Sequence, residues 1–202
     1  MNGVEAAKTI YPVVLKVPEE KQALKGREKV RFLSEFARLA LQRSAALLGV
    51  SLPPLKKREN GAPIPAGGVF WSLSHKSGCV AAAASLESVG IDVEKIRPVR
   101  AGLYDKIADE TEQALFSGNQ AVDFYQCWTA KEAVLKAAGV GMAGLSGCRI
   151  VTVNGVDTLS AAFGELFWTV RFRFSNGHLA AVAVNRSTVS WIAPERANGG
   201  LS

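Results

Sequence analysis

Apolar residues recur at steps of three and four between Arg27 and Leu48: Leu33, Phe36, Ala37, Ala40, Leu41, Ala45 and Leu48. That spacing gathers them on one face of a long helix. Gly49 stands where a helix-ending glycine belongs, and Pro53-Pro54 forbids continuation. A second long helix is expected from Ala121 to Ala138, closed by Gly139. There Ala130, Ala133, Val134 and Ala137 share one face, while Trp128, Glu132 and Lys136 share the opposite one. Elsewhere the period drops to two. Tyr11–Val17, Val69–His75, Cys79–Ser85 and Val89–Glu94 read as strands. So do Arg149–Asn154, Leu166–Phe174, Leu179–Asn185 and Val189–Ile192, with Leu55–Arg58 as a short edge strand. Ser175-Asn176-Gly177-His178 reads as a hairpin turn, because Asn-Gly accepts the positive φ angles of tight turns. His178, placed in that turn, is given no role. Short helical stretches are expected around Leu103–Ala108 and Glu110–Phe116. The tail after Pro194 is expected to fray.

There is no sequence repeat, but there is a repeat in the order of elements: a long helix with a hairpin in each half. This favours an α+β protein of two similar lobes, each a small, mainly antiparallel sheet packed by a long helix. The boundary is placed at Glu87-Ser88, giving an N-terminal lobe 1–87 and a C-terminal lobe 88–202.

Composition narrows the class. At 202 residues, the chain can bury one sizeable core or two small ones. A hydrophobic content of 48% with 21% charged residues is that of a soluble globular protein. No stretch approaches the ~20 apolar residues of a membrane span, and Met1–Ile10 has no apolar core for a secretory signal. The three cysteines, Cys79, Cys127 and Cys148, are widely spaced and form no Cys-x-x-Cys pair. Reduced thiols in the cytoplasm are therefore expected. A net charge of +6 points to an anionic partner: nucleic acid, a phosphorylated cofactor or an acidic protein. The basic residues lack interleaved exposed aromatics, which speaks against nucleic acid.

The candidate chemistry centres on Val89-Gly90-Ile91-Asp92-Val93-Glu94. Period two puts Asp92 and Glu94 on one face and Ile91 and Val93 on the other, with Gly90 as a flexible entry. Two close carboxylates repel unless a cation or a shared proton relieves them. The pair reads either as a metal site or as an ordinary exposed strand face. Glu132 and Lys136 read either as a functional carboxylate beside an ammonium or as a plain i,i+4 helix pair. His75, at a strand end, reads as a phosphate donor or as a solvent-facing loop histidine. Trp128 reads as a core aromatic that anchors its helix.

Taken in order, Ser72-Leu73-Ser74-His75, Gly90-Ile91-Asp92-Val93-Glu94 and Trp128-Thr129-Ala130-Lys131-Glu132-Ala133-Val134-Leu135-Lys136 resemble the signature of the 4′-phosphopantetheinyl transferases. The chain is similar to the two-lobed type exemplified by the surfactin-synthetase activator, rather than the half-length holo-acyl-carrier-protein synthase. The resemblance spans about Arg27 to Gly141. It implies the two-lobed α+β fold and transfer of the 4′-phosphopantetheine arm of coenzyme A to a serine of an acyl or peptidyl carrier protein. Release of 3′,5′-ADP and use of magnesium are implied with it. By the same resemblance Asp92, Glu94 and Glu132 match the metal-binding acids. Glu132 and Lys136 are the catalytic candidates, Lys136 lying near the pyrophosphate. Ser74, His75, Asp92 and Lys136 are placed at coenzyme A. Lys29, Arg31 and Lys57 match basic positions that grip the 3′-phosphate. One departure stands out: Gly61-Ala62-Pro63 replaces the usual Gly-Lys-Pro or Gly-Arg-Pro, so one cation is missing, and Lys57 or Arg58 must substitute. The implied partner is an acidic carrier protein, met by a monomer, with no nucleic acid and no membrane. Two alternatives use the same residues: a magnesium-dependent phosphodiester or pyrophosphate hydrolase, and a non-catalytic binding module for an acidic protein.

Overall fold

The computed structural model describes residues 8–116 and 118–192. The expected loose tail after Pro194 lies outside them, as do the first seven residues of the opening segment. In chain order the elements are β1 (Thr9–Ile10), β2 (Val13–Lys16), α1 (Glu19–Gln22), α2 (Gly26–Leu48), β3 (Phe70–Lys76), β4 (Cys79–Ser85) and β5 (Val89–Lys95). A short 3₁₀ turn at Tyr104–Lys106 precedes α3 (Glu110–Gln113) and α4 (Gln120–Ala138). A second 3₁₀ segment, Gly141–Gly147, leads to β6 (Cys148–Asn154), β7 (Thr158–Phe163), β8 (Leu166–Ser175), β9 (His178–Val184) and β10 (Thr188–Val189).

The strands form a three-stranded sheet, β2-β4-β3, and a five-stranded sheet, β5-β9-β8-β7-β6. Every pairing within these two sheets is antiparallel. A small parallel pair, β1 with β10, ties the two ends of the described chain together. The α+β class is as the sequence implies.

Period-two alternation decides the layering. In β4, Val80, Ala82 and Ala84 face α2, where Leu33, Ala37, Ala40, Leu41 and Ala45 meet them. The alternate residues Cys79, Ala81 and Ala83 face the other sheet, against Val89, Ile91 and Val93 of β5 and Val182 and Val184 of β9. The far face of that sheet, including Leu179, Ala181 and Ala183, receives Ala130, Ala133 and Val134 of α4. The layers are therefore helix, sheet, sheet, helix. Small residues on β4 and β9 let the sheets approach, and each buried leucine such as Leu41 contributes about 2 kcal/mol.

β3 and β5 are edge strands of separate sheets, and they lie side by side. No ladder joins them. Instead Ser72 Oγ accepts a hydrogen bond from the Ile91 N–H at 3.0 Å, and Ser74 Oγ donates to Asp92 Oδ1 at 2.8 Å. Side chains thus cover an edge that would otherwise leave donors unpaired.

Several expectations need correction. Leu55–Arg58 is not a strand: only Lys57 bridges to Pro63, in a stretch where prolines supply no N–H. β7 was not foreseen, and the last strand stops at Val189, with Ile192 making a single bridge to Val13. Leu103–Ala108 shrinks to one 3₁₀ turn. His178 is no turn residue. It opens β9, is buried, and sets Nδ1 2.9 Å from the Asn176 carbonyl and Nε2 3.1 Å from that of Ser77. The ring thereby joins the β3–β4 turn to the β8–β9 turn.

Candidate active site

Gly90 fixes how close α4 comes to β5. Its φ is not in the left-handed region, so conformational freedom is not its use. A Cβ at this position would overlap the Ala133 carbonyl oxygen and lie 2.5 Å from the Ala137 nitrogen. The helix backbone therefore rests on the strand at Gly90. Two residues on, Asp92 faces the same helix and meets the turn that carries Glu132 and Lys136.

Asp92 is only 3% exposed, so it does not lie on an ordinary exposed strand face. Its Oδ1 accepts from Lys136 Nζ at 2.6 Å and from Ser74 Oγ. Its Oδ2 is buried and has no partner. Lys136 Nζ also stands 3.6 Å from Glu132 Oε2. The Asp92 and Glu132 oxygens are thus no farther apart than the sum of 2.6 Å and 3.6 Å. Glu94 Oε1 accepts from Lys76 Nζ at 2.7 Å and from Trp128 Nε1 at 3.3 Å. Trp128 is therefore more than a core anchor; its N–H orients Glu94.

The electrostatics follow from burial and crowding. Glu132 has its carboxyl pushed above the usual value, first by burial and then by the Asp92 carboxylate, with Glu94 adding to it. Burial opposes the charge on Lys76, but its bond to Glu94 and the neighbouring acids outweigh this and raise its pKa. Burial lowers the pKa of His75, and Lys136, Lys57 and Lys76 lower it further. His75 thus sits in a positive field made by three lysines, and is a neutral ring with one N–H to give. The cysteines offer no nucleophile. All three are buried and free, and burial pushes their thiols up to about 12.

A cavity of about 250 Å³ opens beside the acids, lined by Lys57, Asn60, Trp71, Glu132, Lys136 and Met142 among others. A second of similar size, about 250 Å³, shares Pro63, Trp71, Lys136 and Gly139 with it and adds Arg58. Asn60 Nδ2 reaches across to the Gly139 carbonyl at 3.2 Å, holding the loop against the end of α4. Lys29 and Arg31 line neither cavity; Arg31 is exposed and faces Glu35. Lys131 points away from the cleft. It pairs with Glu112 at 2.8 Å, and both are buried, which locks α4 onto α3.

Among the described residues, no group of three or more His, Cys, Asp or Glu side chains is arranged to hold a metal ion. Lysine ammonium groups stand against Asp92 and Glu94 instead. The donor chemistry nonetheless suits a hard cation: carboxylate oxygens, one of them buried and unpartnered, in a cluster whose mutual repulsion a cation relieves.

Burial of Glu132 and its repulsion by Asp92 together predict a pH effect. The unfolded chain releases the Glu132 proton at the ordinary carboxylate pH; the folded chain holds it to higher pH. Between those two values the folded state binds more protons, so stability falls as pH rises. Glu132→Gln should remove this fall. Thermal melts from about pH 4 to pH 8 without divalent ions should show the variant gaining on the parent as pH rises, at ~2–4 °C per kcal/mol for a chain of this size. Parallel pH profiles would refute the raised Glu132 carboxyl.

The acid cluster on an edge strand, crossed by a helix, thus stands beside a cleft lined by Lys57, Glu132 and Lys136. Residues 88–183 match the sequence model of the 4′-phosphopantetheinyl transferase superfamily. Asp92, Glu94, Glu132 and Lys136 all lie inside that match. The chain is 35% identical over 137 residues to "4′-phosphopantetheinyl transferase Svp" of Streptomyces mobaraensis, covering 62% of this chain and 55% of that protein. It is 32% identical over 91 residues to "4′-phosphopantetheinyl transferase gsp" of Aneurinibacillus migulanus, covering 43% and 38%. With a Bacillus subtilis "4′-phosphopantetheinyl transferase" the identity is 31% over 112 residues, covering 50% of each. The matched part thus spans about half, or less, of these relatives' own length. By these likenesses residues 88–183 are similar to the 4′-phosphopantetheinyl transferase superfamily.

Proposed function

We propose that the protein transfers the 4′-phosphopantetheine group of coenzyme A to a serine of an apo acyl or peptidyl carrier protein, releasing 3′,5′-ADP. The observation that supports this best is the buried Asp92 carboxylate, with one oxygen free, set beside Glu132, which lines a cleft with Lys57 and Lys136. Asp92 and Glu132, with Glu94 beside them, are the residues that would hold a magnesium ion. Bound there, the ion polarises the pyrophosphate and offsets charge on the leaving 3′,5′-ADP.

The chain's own residues do the rest. Lys57, Lys76 and Lys136 supply the positive field at His75, which suits phosphate oxygens. Lys57 lines the first cavity and Arg58 the second, so these two flank the loop where Ala62 replaces a basic residue. Ser74 fixes Asp92 by its hydrogen bond. Glu132 accepts the carrier serine's proton directly or through one water. Lys136 stabilises charge on the transferring phosphoryl group. Lys29 and Arg31, outside the cavities, lie on the basic first turns of α2, where an acidic carrier or the 3′-phosphate can meet them. The same reading treats 1–87 and 88–202 as two lobes in one chain and the active species as a monomer in the cytoplasm. No described helix is long and apolar enough to cross a membrane.

The test is direct. The protein is incubated with coenzyme A, magnesium and a panel of apo carriers, and the products are weighed intact. One carrier should gain the mass of a phosphopantetheine group, with 3′,5′-ADP formed in equal amount. Consumption of coenzyme A without any carrier would favour a hydrolase. Co-elution of activity with an oligomer alone on a sizing column would remove the monomer.

A further inference from the structure

Residues 56–64 fold back on themselves. The Arg58 N–H donates to the Ala62 carbonyl at 2.8 Å, and the Ile64 N–H to that of Lys56 at 2.9 Å. Asn60 Oδ1 accepts from the Ala62 N–H at 3.1 Å, and Gly61, at φ 80°, completes the turn. The segment is a short hairpin arm with Asn60 and Gly61 at its tip. Chain breakers bound it: Pro53-Pro54 before it and Gly67-Gly68 after it, both glycines exposed and at positive φ. Among the described residues, its one hydrogen bond to the second half of the chain runs from Asn60 Nδ2 to the Gly139 carbonyl, at the end of α4. The two cavities beside the acids adjoin this contact. Pro63 of the arm and Gly139 of the helix end line both. Lys57 lines the first and Arg58 the second, so the arm offers one cation to each side. At about 250 Å³, each cavity falls below the roughly 300–1,000 Å³ that hold drug-sized ligands.

We propose that this arm is a lid: Asn60 latches it to α4 in the free protein, and it lifts to admit coenzyme A, which then lies across both cavities. This rests on the reading that the cleft binds coenzyme A. The arm carries its own backbone hydrogen bonds, so it swings as one body between the prolines and the glycine pair. The latch is a single neutral hydrogen bond between exposed groups, a contact that shifts an equilibrium only severalfold. It is therefore strong enough to keep the arm closed most of the time and weak enough to release. A ligand as long as coenzyme A fits neither cavity alone. It joins them only where the tip now rests on Gly139, so its binding replaces the latch. Lys57 and Arg58 then close on it from the arm, one toward each cavity.

The test is the kinetics of coenzyme A binding to the full chain. It is read by stopped-flow from tryptophan fluorescence, because Trp71 lines both cavities. Asn60→Ser keeps a hydroxyl that can accept from the Ala62 N–H but is too short to reach Gly139. It should raise the association rate constant about threefold to tenfold and tighten Kd by the same factor, with dissociation changed less than about twofold. The sign decides. If Asn60 instead held the arm in its binding form, its loss would weaken binding. A second measurement needs no ligand. Spin labels on Glu59→Cys and Ser146→Cys, both exposed positions, read the distance from the arm to the segment after α4. The three native cysteines are buried and escape the label. Adding Asn60→Ser should bring in a longer distance that the labelled parent hardly populates. Circular dichroism melts confirm that each variant is folded.

Weaker or slower binding of coenzyme A to Asn60→Ser would overturn the lid. So would a distance distribution that Asn60→Ser leaves unchanged. A parent that binds no coenzyme A would overturn both this inference and the cofactor reading beneath it. Faster association without any carrier modification would defeat the transferase reading and leave the lid standing.

Discussion

Gly90→Ala is expected to cost about 3–5 kcal/mol and to take activity with it. The new methyl group would meet two backbone atoms of α4, the Ala133 carbonyl oxygen and the Ala137 nitrogen. A side chain can turn aside; a helix backbone cannot, so the whole helix must lift from β5. Lifting it opens the core in which Ala130, Ala133 and Val134 are fully buried. It also carries Glu132 and Lys136 away from Asp92. A domain's total stability is about 5–15 kcal/mol, so much of the margin would go. Gly147→Ala is the matched control. Its added carbon would come no closer than 3.4 Å, to Phe163, which is ordinary contact. Urea melts should show Gly147→Ala within about 1 kcal/mol of the parent and Gly90→Ala far below it, or insoluble. If Gly90→Ala melted with the control, α4 would not be resting on the strand.

This glycine marks the limit of what the sequence reveals. The two long helices were legible to within one residue at either end, because their apolar spacing runs unbroken between clear stop signals. β5 was legible too, and so was the sharing of one face by Asp92 and Glu94. What covers that face was not. Period two on an antiparallel strand ordinarily sets its polar side toward water, so Asp92 reads as exposed. It is buried because α4, about thirty residues on, lies across it. Gly90 reads as a flexible residue for the same reason, since its neighbour at this contact is distant in sequence. Lys76 and Trp128 were missed as partners of Glu94. One signal was available: Ser72, Ser74 and Lys76 alternate toward one side of β3, and Trp128 stands four residues before Glu132 on the acid-facing stripe. β7 escaped because Thr158–Phe163 is short and rich in small residues, with little contrast between its faces. The burial of His178 depends on a carbonyl from a turn a hundred residues earlier.

Asp92→Asn should reduce transfer at least about a thousandfold while leaving a folded protein, a rise of ~4 kcal/mol in the barrier. The amide matches the carboxylate in shape, so no cavity opens. It removes one negative charge and turns one oxygen into an NH₂ group, which cannot ligate a cation. Lys136 then loses its 2.6 Å partner, but it is 29% exposed and Glu132 remains 3.6 Å away, so its ammonium keeps both water and a carboxylate. The stability loss should accordingly stay near 1 kcal/mol, well short of the 3–5 kcal/mol expected when a fully buried charge is left alone. Asp92→Ala would confuse these effects, because it also strands Ser74 and leaves a void. The measurement pairs initial rates of carrier modification with a thermal melt of the same preparation. Transfer within tenfold of the parent would show that the buried carboxylate, and the free oxygen it presents, take no part in the chemistry. A collapse of the melt would assign Asp92 to the fold instead. The proposed reading requires the remaining result, an intact melt with transfer lost, because it gives the Asp92 oxygens to a cation and to Lys136 rather than to the core.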